Sequence, residues 1–341
     1  MNDRFFEVIN RYMLPMEKLE RVVDSSYFLR KNLSFAFAQG YCHPRGGFYG
    51  KLINYPDPRG ELTIFGRRYS NTNKRLVNNV LTLIPIGEQL ELHFRADPSL
   101  RKREGIPPFA EYHTVFTLSD CCGYFEHRHS LRVAMEMYPW LPPKIEKLSD
   151  FLGIPQERLG TTGSLAYGRI EDAAEGDDID LTICGSIEEH RRVLATIRKW
   201  ITNPAHRVFE FNKFWPMRFF LDGTLICPFF IYERPDEIPL SDFTMELVNE
   251  GVTFRGRVSG DRHAIYLPML LRMEGVCVNG EKTGDMPLII YDSSVRGEFV
   301  RGDLLEGRGK LVRVSTPGDT FPALLVTNGE TMRSTGNGSR S

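Results

Sequence analysis

The sequence predicts an α+β protein, with a central α/β core flanked by two mostly antiparallel β domains. Three observations carry that expectation. Mid-chain, a short apolar strand delivers Gly163-Ser164 to the start of a helix, and a second strand then carries Asp178-Ile179-Asp180-Leu181. From residue 34 to about 118, short alternating runs are broken by Gly and Pro. From Val252 to Val314 the β pattern returns, with glycine at 256, 260, 275, 280, 297, 302, 307 and 309, as suits a small, tightly curved barrel.

The elements follow in order. Residues 4–23 place apolar side chains at helical spacing and predict a leading helix. In the β stretch, Pro44-Arg45-Gly46-Gly47 and Pro56-Asp57-Pro58-Arg59-Gly60 are turn signals. The segment from Asp97 to Pro108, with Arg101-Lys102-Arg103, reads as an exposed connection. A helix from about Ser130 to Tyr138 is stopped by Pro139. Another opens at Pro143, carries Ile145, Leu148, Phe151 and Leu152 on one face, and ends at Gly153. Ser186-Ile187-Glu188-Glu189 is a capping box opening a helix to about Ile201. The runs Met217 to Leu221 and Thr224 to Tyr232 flank Asp222-Gly223, a hairpin turn. The end of the chain turns to Thr, Ser, Gly and Asn and predicts a disordered tail. The expected domains are therefore 1–125 (helix plus β-rich), 126–240 (the α/β core), 241–315 (barrel-like) and 316–341 (tail).

Chemistry concentrates in the core. Side chains alternate along a strand, so Asp178 and Asp180 face one spot, about 6–7 Å apart along the backbone. Of the ten residues from Glu171 to Asp180, six are acidic and none is basic. That density repels itself unless a cation neutralises it. Two carboxylates beside exposed helix N–H groups suit a divalent cation and a polyphosphate, which is the chemistry of nucleotidyl transfer. In the two-metal scheme Asp178 and Asp180 bridge two Mg²⁺ ions, with Mn²⁺ as the substitute; one ion holds the triphosphate and the other activates a hydroxyl. Gly163 lets the backbone approach the phosphates, and the Ser164 hydroxyl grips them. The competing reading of Gly163-Ser164 is a plain helix cap.

The segment Gly160-Thr161-Thr162-Gly163-Ser164-Leu165-Ala166-Tyr167-Gly168, followed by Asp178-Ile179-Asp180-Leu181, resembles the signature of the DNA polymerase beta-like nucleotidyltransferase superfamily. The likeness covers residues 145 to 235 and speaks to fold and metal site while leaving the substrate open. More loosely, the chain resembles predicted archaeal and bacterial nucleotidyltransferases that flank this core with two β-rich segments. That likeness rests on Tyr41-Cys42-His43-Pro44, Ile53-Asn54-Tyr55-Pro56-Asp57-Pro58, Arg296-Gly297-Glu298-Phe299 and Gly307-Arg308-Gly309-Lys310-Leu311. The resemblance implies a polymerase beta-like core and a third carboxylate on the strand after the hairpin turn. Here that strand reads Thr224-Leu225-Ile226-Cys227-Pro228, with Cys227 where Asp is expected. Asp222 can serve if the strand is offset, its competing role being a turn-forming Asp before Gly; Glu210 is a remoter option. Without any of them the acceptor hydroxyl lacks its base.

Other candidates are weaker. His127 and His129 lack a third ligand nearby in sequence. Cys121-Cys122 read as packing residues, and Gly307-Arg308-Gly309-Lys310 lacks the phosphate-loop frame. The six cysteines show no paired C-x-x-C spacing, which points to small buried side chains in a reducing cytoplasm. A net charge of −1 argues against wholesale nucleic-acid binding. No apolar run approaches the roughly 18 residues of a membrane span. The expected partners are a nucleoside triphosphate and an acceptor of undetermined class, whether small molecule, protein or RNA, with no membrane. Two rivals stand beside this reading. One is a catalytically impaired nucleotide sensor or scaffold, favoured by Cys227. The other is a nucleic-acid-binding module working through the C-terminal barrel, which would need exposed stacking aromatics.

Overall fold

Asp3 starts the first helix by accepting from the Phe5 amide at 3.1 Å. The helix α1 (Arg4–Tyr12) buries Phe5, Ile9 and Tyr12, a single stripe at helical spacing. It stops well short of residue 23 because Met13 turns extended and Pro15 has no N–H to continue the ladder. The computed structural model describes residues 3–78, 80–168 and 178–335. The chain divides into two units. One comprises Met1–Gln39, His43–Arg101 and His113–Glu237; the other comprises Gly40–Cys42, Lys102–Tyr112 and Ile238–Ser341.

The first unit opens with β1 (Leu14–Pro15), β2 (Tyr27–Arg30), β3 (Phe35–Ala38), β4 (Gly47–Pro56), β5 (Leu62–Ile64), β6 (Arg67–Asn71), β7 (Lys74–Val77) and β8 (Val80–Leu83). Helix α2 (Ile86–Ala96), β9 (Thr114–Thr117) and β10 (Cys121–Phe125) follow. All but β7 and β8, which pair only with each other, join one antiparallel sheet in the order β1-β10-β2-β3-β4-β6-β5, with β9 also on β4. One side of this sheet packs Phe28 on Phe48 with ring centroids 4.4 Å apart, and Phe48 on Phe116 at 5.2 Å. Helix α2 lies within the stretch expected to be β and buries His93 and Phe94.

Next come α3 (His127–Met137), α4 (Leu141–Leu152), β11 (Leu159–Thr161), β12 (Ile179–Gly185), α5 (Ile187–Trp200), β13 (Arg207–Glu210), β14 (Lys213–Leu221) and β15 (Thr224–Tyr232). Their strands form a five-stranded sheet ordered β11-β12-β15-β14-β13. Glu126 caps α3, accepting from the His129 amide at 2.7 Å. Gly153 ends α4 in the left-handed region at φ 66°. At the head of α5, Ser186 and Glu189 cap each other's backbone reciprocally, as the capping box requires. Asp222 and Gly223 both take positive φ, 48° and 77°, the geometry of a tight β14–β15 turn.

The second unit carries β16 (Thr244–His263), β17 (Met269–Val278), β18 (Glu281–Ile290), β19 (Leu304–Ser315), β20 (Thr320–Val326) and β21 (Met332–Ser334). They run in the order β16-β17-β18-β20-β19-β21, and β16 also pairs with β19, so the sheet closes on itself. Alternation fills the interior: Met269, Leu271 and Met273 of β17 are all at most 1% exposed, while Arg272 and Glu274 between and beyond them point out.

Two expectations are corrected here. The chain is β-rich, 43% of the described residues being strand against 28% helical, and its centre is not a polymerase beta-like α/β core. The reason is visible in the five-stranded sheet. Only β12 and β15 run parallel there, the remaining pairings being antiparallel, and the helix expected at Ser164 is a five-residue 3₁₀ turn, Gly163–Tyr167. The second correction concerns the tail expected to be disordered over 316–341. Residues Ala323, Leu324, Leu325 and Val326 are at most 1% exposed, and β20 pairs parallel with β18 and antiparallel with β19. A polar composition around four consecutive buried aliphatics hid a strand covered on both faces. Residues 336–341 lie outside the described residues.

Leu324→Ala should therefore destabilise the second unit by about 2–5 kcal/mol, the usual range for a buried Leu lost from a tight core. Denaturant unfolding followed by circular dichroism reads this directly, and an unchanged midpoint would mean that β20 is not docked.

Candidate metal centre

Ile179, Leu181 and Ile183 of β12 are all at most 1% exposed and hold one face of that strand in the core. Alternation turns Asp180 to the opposite face, and Asp178 just ahead of the strand precedes it by two residues. Parallel pairing sets Asp180 beside Cys227 of β15. Antiparallel pairing of Phe219 with Ile226 then brings Arg218 of β14 to the same level. The result is a row across three strands. One ligand atom from each of Asp178, Asp180 and Cys227 lies within 4.8 Å of the other two.

Gly163 makes room for this row. Its φ is +62°, and a Cβ added there would sit 1.8 Å from Asp180 Oδ2. No L side chain fits that position without expelling the carboxylate. The adjoining backbone is pinned as well. The Thr162 amide donates to the Asp180 carbonyl at 2.9 Å, and Thr161 Oγ1 donates to the same oxygen at 3.0 Å. Thr162 Oγ1 donates to the Ser25 carbonyl at 2.6 Å, buried. Ser164 follows, half-buried, in the 3₁₀ turn. Tyr167 anchors the far end of that turn in aromatic surroundings, 4.5 Å from the Phe35 ring centroid and 5.4 Å from that of Tyr27. Its hydroxyl accepts from Asn54 Nδ2 at 3.1 Å. So short a turn has little macrodipole, and the phosphate grip expected from a helix start at Ser164 is weakened accordingly.

Burial first, and then the neighbouring Asp178 charge, push the Asp180 carboxyl up to about 6, while Lys74 and Arg218 pull the other way. Burial and then the Asp180 charge push the Cys227 thiol well above its ordinary value. Cys227 in this state is a neutral thiol and a poor nucleophile. The two cations come from separate elements. Lys74 lies on β7, 5.8 Å from the Phe211 ring centroid. Arg218 pairs with Glu210 and stacks 3.9 Å over Trp215. Sequence reading missed both: Lys74 is remote in sequence, and Arg218 becomes visible only when the β14–β15 register is known.

The remaining candidates fall elsewhere. Asp222 sits in the turn, exposed, with its carboxylate paired to Lys147 of α4, and it does not join the cluster. Glu210 is engaged by Arg218. The acidic residues 171–177 lie outside the described residues. His127 is buried, and burial depresses its pKa. His129 Nε2 lies 3.1 Å from the Arg11 carbonyl, so the two histidines face different surroundings. Cys121 is buried and Cys122 exposed, both free. Lys310 belongs to β19 and pairs with Glu111 at 3.1 Å and Glu250 at 3.4 Å.

Two outcomes follow. Gly163→Ala should cost about 1–3 kcal/mol of stability, the usual size of a strained positive-φ position, and should displace Asp180; a thermal midpoint equal to wild type would refute the close approach. The second concerns pH. In the metal-free fold Asp180 keeps its proton to about pH 6, whereas an unfolded Asp releases it near 3.8. The native state therefore holds more protons in that window, and stability falls as pH rises through it. Asp180→Asn should raise the melting temperature more at about pH 8 than at about pH 4.5, and an equal difference at both would mean that the carboxyl titrates normally. Comparison with protein-family models, with curated proteins and with solved structures finds no match to this chain in any of the three.

Proposed function

We propose that this chain is a metal-dependent nucleotidyltransferase that passes a nucleoside monophosphate from a nucleoside triphosphate to an acceptor. The observation that carries the reading is the seating of Asp180 in the space of the missing Gly163 side chain, with Asp178 and Cys227 converging on it. The reading rests on this local constellation and not on a likeness of overall fold. Packing alone gives no reason to press two carboxylates together with a half-buried Asp, because desolvated like charges repel.

Asp178 and Asp180 would hold a divalent cation, and that ion would supply the charge to neutralise the triphosphate and activate the acceptor oxygen; two carboxylates alone suggest Mg²⁺ or Mn²⁺. Lys74 and Arg218, close enough to act on Asp180, offset the charge of the departing pyrophosphate. The acceptor oxygen bonds to the α-phosphorus as the bond from that phosphorus to the α,β-bridging oxygen breaks; pyrophosphate leaves, and the acceptor hydroxyl's proton passes to solvent. Among the described residues no helix is long and apolar enough to cross a membrane, and the six cysteines are all free. The free thiols support a reducing, cytoplasmic setting.

A second reading, a nucleotide sensor without turnover, is favoured by one fact: a thiol stands at the third ligand position while Asp222 is tied to Lys147. The nucleic-acid module lacks comparable support. The exposed large hydrophobics described in the second unit are Leu247 and Val248, and neither is aromatic.

Incubation with each of the four labelled nucleoside triphosphates and a divalent cation should release pyrophosphate. Asp178→Ala should lower the rate by about 10²-fold or more, the scale of a lost electrostatic stabiliser, without unfolding the protein. Nucleotide binding with no pyrophosphate above background would select the sensor. Mg²⁺- or Mn²⁺-nucleotide affinity unchanged by Asp178→Ala and by Asp180→Ala in calorimetry would remove the site altogether.

A further inference from the structure

Cys227 is 2% exposed, yet it does not point into the apolar core. It shares the face of Asp180, its parallel partner on β12, and its sulfur lies within 4.8 Å of an oxygen from each carboxylate. A packing role accounts poorly for this placement. A small hydrophobe there would only desolvate two carboxylates, which is costly. A buried thiol aimed at two carboxylates is instead the third donor of a mixed oxygen–sulfur set.

We propose that this cluster selects a borderline-soft divalent transition metal, of the Co²⁺ or Zn²⁺ kind, in preference to Mg²⁺, and binds it through Asp178, Asp180 and the Cys227 thiolate. The inference rests on the reading of the cluster as a metal site and narrows the cation from that reading's default. Mg²⁺ demands near-ideal octahedral oxygen coordination and gives up its water reluctantly, so a sulfur in the set works against it. Zn²⁺ and Co²⁺ accept thiolate together with carboxylate. Three protein donors leave a fourth position open, as in catalytic rather than structural zinc sites. That position is where a phosphate oxygen would bind. On binding, the metal–sulfur bond forms as the S–H bond breaks, and the proton leaves to solvent; nothing is oxidised or reduced. The cation supplies the charge that stabilises the thiolate beside Asp180, which the metal-free site does not offer.

Co²⁺ reports its own ligands. Titration of the purified, nucleotide-free chain should develop a near-ultraviolet sulfur-to-cobalt charge-transfer band that saturates with the binding isotherm. At about pH 8, about one proton per ion should appear in weakly buffered indicator solution as the thiol gives up its hydrogen to solvent. Zn²⁺ should bleach the band, and a large excess of Mg²⁺ should not. Cys227→Ser should abolish the band and weaken Co²⁺ binding by about tenfold or more, leaving Mg²⁺ affinity nearly unchanged. Cys122→Ser, at an exposed thiol, should retain the band. Cys227→Asp should reverse the preference towards Mg²⁺. If Co²⁺ binds, binding is lost in Asp180→Asn and no band appears, the thiolate inference is overturned and the nucleotidyltransferase reading stands. If calorimetry finds no divalent ion bound at all, the metal reading itself falls and this inference with it. Should Cys227→Ser fail to fold, the wild-type band and proton release decide alone, and their absence overturns the proposal.

Discussion

Parallel pairing of β12 with β15 is the constraint from which the candidate site follows. Two parallel neighbours cannot be joined by a tight turn, so the chain must travel from one end of β12 back to the start of β15. Helix α5, β13 and β14 make that journey. The register then sets Asp180 against Cys227 and aligns the next five pairs as far as Gly185 with Tyr232. A slip of one residue would turn Ile179, Leu181 and Ile183 out of the core and the acid into it. The apolar face thus enforces the chemistry of the polar one.

Around that pairing, the first sheet of the same unit acts as a mould for the glycine turn. Tyr167 sits among Tyr27, Phe35 and Phe125, and its hydroxyl meets a buried asparagine. At the other end of the turn, Thr162 is tied to Ser25, a non-glycine residue held at φ 64°. Buried, satisfied polar contacts of this kind specify one arrangement because any other leaves a donor without a partner. Gly163 is therefore held from both sides while its missing side chain admits Asp180. Preorganisation of the carboxylate comes from packing some distance away from it.

Much of this was legible in the residues, and what was not has identifiable causes. The α5 start could be read because a capping box is local: Ser186 and Glu189 are three apart and complete their bonds without outside help. The convergence of Asp178 and Asp180 could be read because strand alternation is also a local rule; that Gly163 makes room for Asp180, where approach to a phosphate was expected, could not, because the β11–β12 pairing sets it. The fold class could not. Apolar runs such as Thr224–Tyr232 look alike in parallel and antiparallel sheets, so an α/β core was expected where a β-rich chain is found, its five-stranded sheet holding one parallel pair. Strand β20 was hidden for a similar reason, since Ala323 to Val326 are too few to outweigh their polar flanks. Asp222 was misjudged because its partner, Lys147, belongs to a helix far back in the sequence. Lys74 carries no local signal at all.

The closed sheet of the second unit has a consequence for how that unit is made. Thr244 of β16 pairs with Ser315 of β19, and Arg257 with Leu304, so one long edge of β16 stays bare until nearly all of the sheet exists. Non-local closure of this kind is slow, and an unsatisfied edge recruits other chains in the meantime. The outward positions of β16 carry Glu246, Glu250, Arg255 and Arg257, all exposed. Charges of both signs along a waiting edge discourage a like strand from adding there. The same side chains are used again once the sheet has closed, Glu250 pairing with Lys310, Glu246 with Arg313, and Arg257 donating to the Gly302 carbonyl.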